Sequence, residues 1–102
     1  MSNEQIETEI QSKGLTAPRV TLEHVNACIV GETYTVLPSG KVMVCELTLA
    51  NGFTVRGEAA AVSRENFNHE IGQRVSRERA VQQVWLVEGY LLQQRLFEAS
   101  PA

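Results

Sequence analysis

VMVCELTLANGFTVRGEAAAV, residues 42–62, alternates apolar and polar side chains on either side of Ala50-Asn51-Gly52. That period of two marks a pair of half-buried strands joined by a tight turn. Burial selects the register. A two-residue turn on Asn51-Gly52 would set Ala50 opposite Phe53 and mix Leu47 and Leu49 with Thr54 and Arg56 on one face. A three-residue loop, with Gly52 in a left-handed conformation, pairs Leu49 with Phe53, Leu47 with Val55, Cys45 with Gly57 and Met43 with Ala59. One face is then wholly apolar, and the other carries Thr48 with Thr54 and Glu46 with Arg56. A slip of one residue would exchange the faces, so the three-residue loop is predicted.

Outward from this hairpin, Thr33 to Leu37 reads as a third strand, joined to it by the turn Pro38-Ser39-Gly40. Thr21 is a good N-cap for a helix from Leu22 to Val30, which Gly31 would end. Ile6 and Ile10, four apart, and Gly14 at the C-terminal position predict a short acidic helix over Asn3 to Lys13. With two strong apolar residues it is marginal alone. Thr16, Ala17 and Pro18 read as a break. On the C-terminal side, Ser63 is expected to cap a helical segment from Arg64 to Ile71 and Gly72 to form a kink or junction. A long helix follows from about Gln73 to Phe97, and Ala99, Ser100 and Pro101 form a tail. The predicted class is α+β: short N-terminal helices and a three-stranded antiparallel sheet, with the long C-terminal helix packed on it. Residues 1–20 form an acidic arm, 21–98 a single domain and 99–102 the tail.

On a wheel of about 100° per residue, Val81, Val84, Trp85, Leu92 and Leu96 share one side of the long helix and should cover the apolar face of the hairpin. Leu86, Tyr90 and Phe97 fall on nearly the opposite side. A surface helix of a monomer needs only the first stripe, so the second predicts a contact with another copy of the chain or with the first two helices. Arg77, Glu88 and Arg95 share one edge, near where Arg56 could reach from the sheet. Composition alone favours a solvated rim there. The functional alternative is a set of arginines whose planar forks hold a phosphate or carboxylate.

The bulk numbers exclude several classes of function. The chain has 102 residues, 43% of them hydrophobic, and a net charge of −3, as expected for one folded domain rather than a disordered segment. All twelve acidic residues are Glu, and the lack of Asp counts against metal and phosphoryl-transfer sites. An acidic chain is a poor partner for DNA or RNA, where affinity comes from cations on phosphates, and neither nucleic acid is expected. Cys28 and Cys45 show no CxxC or Cys/His ligand spacing, so two reduced core thiols and no metal are expected. His24 reads as an isolated, solvent-edge or hydrogen-bonded histidine. Met1 to Ile10 lacks the basic and apolar regions of a signal peptide, and no apolar run approaches the ~20 residues that span a bilayer. A soluble, cytoplasmic protein is expected. No Ser/His/Asp set, GxSxG, P-loop, GxGxxG or HExxH occurs, and no catalytic residue or cofactor is predicted.

One dense polar–aromatic segment remains, Asn66-Phe67-Asn68-His69. It can be the start of a helix anchored by Phe67, or a place where a nucleobase stacks on Phe67 while Asn66 bonds its edge. Together with Asn51-Gly52-Phe53, Gly57-Glu58-Ala59, Glu65-Asn66-Phe67, and Trp85 with Glu88-Gly89-Tyr90, it resembles a family of small tailed-phage and prophage proteins labelled "gene product forty-nine", over roughly Thr21 to Leu96. The resemblance implies a phage accessory protein acting in the host bacterial cytosol. Similar phage proteins act as oligomeric sponges that sequester signalling molecules of host defence. On that basis the expected function is non-catalytic sequestration of a small nucleotide-like ligand, a cyclic ADP-ribose isomer or a cyclic oligonucleotide. Arg56, Asn66, Phe67, Arg77, Tyr90 and Arg95 would be its ligand-binding residues, and Leu86, Tyr90 and Phe97 the interface of a homo-oligomer. The alternative is a module that binds and inhibits a host or defence protein.

Overall fold

In the computed structural model, which describes residues 3–14 and 17–100, the chain runs α1 (Asn3–Ser12), α2 (Leu22–Cys28), β1 (Ile29–Val36), β2 (Val42–Leu49), β3 (Thr54–Ala60), a 3₁₀ turn (Arg64–Asn66) and α3 (His69–Ala99). The strands form one antiparallel sheet in the order β1-β2-β3, and α3 packs across β2 and β3. The fold is α+β, as predicted. Thr16 and Pro101, read as parts of a break and of the tail, lie outside the described residues. Among those described, no helix is long and apolar enough to cross a membrane.

The hairpin has the predicted register: Leu47 opposes Val55, Cys45 opposes Gly57, Met43 opposes Ala59 and Glu46 opposes Arg56. Gly52 has φ +92°, and its N–H donates to Leu49 O at 2.8 Å while Leu49 N–H donates to Phe53 O at 2.8 Å. β2 alternates strictly between buried and half-buried positions. Met43, Cys45, Leu47 and Leu49 point under α3, where they join Val25, Val55, Ala80, Val81 and Val84 in the core. Complete burial of Leu47, Met43 or Val84 contributes roughly 1.5–3 kcal/mol each. Among the described residues no helix packs on the other face, which carries Arg56, Glu46, Thr48 and Thr54.

Several boundaries differ from expectation, among them the end of α3, which includes Ala99. α2 stops at Cys28 rather than Val30, because Ile29 and Val30 are β-branched and β1 begins there by pairing Ile29 with Leu49. Gly31 is therefore a strand residue beside a register shift, where a β-carbon would crowd Thr48 at 3.2 Å. Ser63 makes no side-chain cap. Asn68 caps α3 instead, its Oδ1 accepting from Ile71 N–H at 3.0 Å. Gly72 is no kink: α3 runs unbroken through it, and its bare backbone lies under the Phe67 ring, where a β-carbon would be 3.1 Å from Cζ.

The first half of α3 meets the sheet through small residues, Gly72, Ser76 and Ala80, all buried. Spaced four apart they line one face, and opposite them Gly57 lets the helix backbone descend onto β3. The second half relies on Val81, Val84 and Trp85, with Leu92 half-buried beyond them. Leu96, expected on the covered stripe, is exposed because the helix has by then run past the sheet.

Candidate functional site

The end of β3, the 3₁₀ turn and the first turns of α3 enclose a recess of about 150 Å³, walled by Ala59 to Ala61 and by Asn66, Phe67, Asn68, Ile71, Val75 and Arg79. Local chemistry shapes it. Phe67 N–H closes the 3₁₀ turn on Arg64 O at 3.2 Å, and the chain then extends so that Asn68 can cap α3. The Phe67 ring sits in the space that Gly72 leaves and meets His69 edge to face, with centroids 5.4 Å apart and planes at 78°. Arg79 Nη1 donates to Glu58 O at 2.7 Å. Among the described residues Arg79 takes part in no ion pair, so its remaining N–H groups can meet an anion at the rim.

Of the expected ligand residues, the structure brings Asn66 and Phe67 together here. The others stand apart. Arg56 lies opposite Glu46 on the uncovered face of the sheet, so it cannot reach the edge of α3 as expected. Arg77 Nε donates to Glu32 Oε1 at 2.9 Å, and Tyr34 Oη donates to Glu32 Oε2 at 2.7 Å. These two bonds, Tyr34's first, hold the Glu32 carboxyl below its ordinary range, while burial, followed by the hydrogen bond to Glu32, pushes the Tyr34 hydroxyl up. Tyr90 is 74% exposed, on the outer side of α3. Arg95 lies beyond the sheet, in a small recess with Arg19, His24, Glu88 and Leu92. Eighteen residues of helix separate Arg77 from Arg95 by roughly 27 Å. A helical wheel discards that axial distance, which is why the three positions on one edge looked like a cluster.

A larger cleft, of about 610 Å³, opens between α1, α2 and α3, with Glu4, Asn26, Arg77, Glu78, Gln82 and Trp85 in its walls. Trp85 Nε1 is buried without a hydrogen-bond partner among the described residues. Glu4 and Glu78 face one arginine whose charge is already engaged by Glu32, so the cleft is a poor home for a phosphate.

Sequence reasoning missed two features. Arg79 was hidden in a run of alternating Arg and Glu. His24 is not isolated: its Nε2 lies 3.3 Å from Cys28 Sγ and 3.5 Å from Glu88 Oε2, and the three ligand atoms all fall within 4.8 Å of one another. The available signal was the spacing of His24 and Cys28, one helical turn apart on α2. Burial, then the Glu88 carboxylate, pushes the Cys28 thiol up to about 11.

The sequence model of the phage protein (N4 Gp49/phage Sf6 gene 66) family matches residues 20–96, and the chain belongs to that family. No curated protein and no solved structure matches it.

Proposed function

From membership in that phage family, we propose that the protein acts in the host cytosol by binding rather than by catalysis, sequestering a nucleotide-derived messenger of anti-phage defence. A cyclic ADP-ribose isomer or a cyclic oligonucleotide is the ligand class. The observation that carries this reading is the recess in which Asn66 and Phe67 stand beside Arg79, a guanidinium not paired with any described carboxylate. An aromatic ring, an amide and a free guanidinium are the parts that recognise a base and the phosphate attached to it. The recess is smaller than the roughly 300 Å³ at which small-molecule sites usually begin. It would take the base, and a second copy of the chain in a homo-oligomer would supply the rest of the enclosure.

The test is thermal denaturation against a panel of such messengers at ~100 µM, since a ligand of the native state raises the melting temperature. A shift that Arg79→Ala abolishes and Arg95→Ala preserves is expected, because Arg95 stands about 24 Å further along α3. No shift with any member of the panel would count against sequestration.

The alternative, a module that docks on a host or defence protein, is favoured by the row Leu86, Tyr90 and Phe97, which are 66%, 74% and 69% exposed. It predicts a specific host protein captured by the parent chain and lost with Tyr90→Glu. Capture unchanged by that substitution would remove this face from consideration.

A further inference from the structure

We infer that His24, Cys28 and Glu88 form a binding site for a divalent transition-metal ion of the zinc class, with its fourth position open. The inference is independent of the proposed messenger recess, which lies at the other end of α3. α2 offers an imidazole and a thiol one turn apart on the same face, and α3 brings a carboxylate to them.

The geometry is that of a site ready to close. Around a tetrahedral ion with bonds of about 2.0–2.3 Å, neighbouring ligand atoms stand roughly 3.3–3.8 Å apart. Cys28 Sγ to His24 Nε2 is 3.3 Å, and His24 Nε2 to Glu88 Oε2 is 3.5 Å. The third separation stays within 4.8 Å, which small rotations of Cys28 and Glu88 would shorten.

The environment agrees. The Glu88 side chain is 11% exposed, and the partners the structure gives it are the Cys28 thiol and the His24 imidazole. A carboxylate so covered favours a cation beside it; Arg19 and Arg95 border the same recess, and the two groups in direct contact with Glu88, an imidazole and a thiol, are both metal ligands. A dication held by carboxylate and thiolate leaves the centre neutral, the thiol giving up its proton to solvent as the metal–sulfur bond forms. Thiolate and imidazole together favour zinc, cobalt or copper over magnesium or calcium. Beside His24 and Glu88 lies a recess of about 110 Å³ bordered by Arg19, Leu92 and Arg95. It has room for one water, of about 30 Å³, or for a small anion drawn by the arginines. Three protein ligands plus an exchangeable fourth is the arrangement of an open zinc site. Bound metal would also clamp α2 to α3.

The experiment uses the full chain, thiol-reduced and stripped of metal, titrated with cobalt(II) and then zinc(II). Expected are one cobalt ion per chain, a thiolate-to-cobalt charge-transfer band in the near ultraviolet, and its bleaching by zinc. Zinc should also raise the melting temperature. His24→Ala, Cys28→Ser and Glu88→Gln should each weaken binding by at least about tenfold, while Cys45→Ala keeps the band. His24 is 46% exposed, so His24→Ala folds even if Cys28→Ser does not, and it carries the test alone. Absence of the band in the parent chain would overturn the site. So would a band that survives both His24→Ala and Glu88→Gln.

Discussion

At Gly57 a β-carbon would lie 2.2 Å from Ala80 N, 2.4 Å from Ser76 O and 2.7 Å from the Arg79 carbonyl carbon. All three are backbone atoms of α3, so no rotamer change can make room and the helix must lift off the sheet. Gly57→Ala should therefore lose at least about 3 kcal/mol, the upper range for overpacking. Gly52 makes the useful contrast. Its φ of +92° strains any other residue, but nothing lies within 4 Å of a β-carbon there, so Gly52→Ala should cost only about 1–2 kcal/mol of backbone strain. Denaturant unfolding of both variants checks the order, and equal losses would refute the close-approach account. The two glycines also separate what could be read from the residues from what could not. Gly52 was legible because its turn had to reconcile two alternating strands. Gly57 read only as a gap opposite Cys45, since what fills it is the helix backbone from Ser76 to Ala80, brought close by small residues. Small residues leave no hydrophobic stripe on a wheel.

Among the elements, α1 depends most on charge. It buries no residue, and Arg19, just before α2, grips it through both guanidinium nitrogens on the Glu7 carboxylate, one bond being 2.9 Å. That hydrogen bond, with help from Gln11, lowers the Glu7 carboxyl from 4.5 to about 2. A carboxyl lowered by docking stabilises the docked state above its free pKa, and the contribution fades as pH falls through the docked value. α1 should therefore stay attached above pH 4.5 and come loose between 4.5 and about 2. Arg19→Ala should release it at neutral pH. Protection of the 3–12 amides against hydrogen exchange reads both, and protection unchanged across that window would refute the tether. The acidic helix itself was visible in Ile6, Ile10 and Gly14, but its anchor was not, because Glu7 and Arg19 are twelve residues apart across a break. The starts of α3 and β1 were misread for a related reason. Ser63 and Asn68 are equally good caps, and Gly31 ends a helix as readily as it sits in a strand beside a bulge. In both cases tertiary packing decides, through Phe67 on Gly72 and Ile29 beside Leu49.

The whole molecule takes its shape from a mismatch of lengths. α3 has 31 residues, about 46 Å at 1.5 Å per residue, and lies on strands of seven or eight residues, about 26 Å long. The protein is accordingly drawn out to 56 × 30 × 20 Å, with a radius of gyration of 16.6 Å against about 13 Å for a compact chain of this size. Beyond the sheet, α2 and the segment around Val20 cover one side of α3. The other side is left with Leu86, Tyr90 and Phe97, spaced four and seven apart on one line. Solvent contact there forgoes the burial that would justify three large apolar residues, and a second copy of α3, laid alongside, would recover it as an isologous contact. The parent chain should accordingly run in light scattering at a multiple of its own mass at ~100 µM, where a contact of micromolar affinity is saturated. Leu86→Glu with Tyr90→Glu should return it to the monomer. Both side chains are open to solvent, so each substitution should change the unfolding free energy of the monomer by no more than about 0.5 kcal/mol. A parent chain that is monomeric at that concentration would assign the row to a different protein, and the same double variant would then be the control in a search for it.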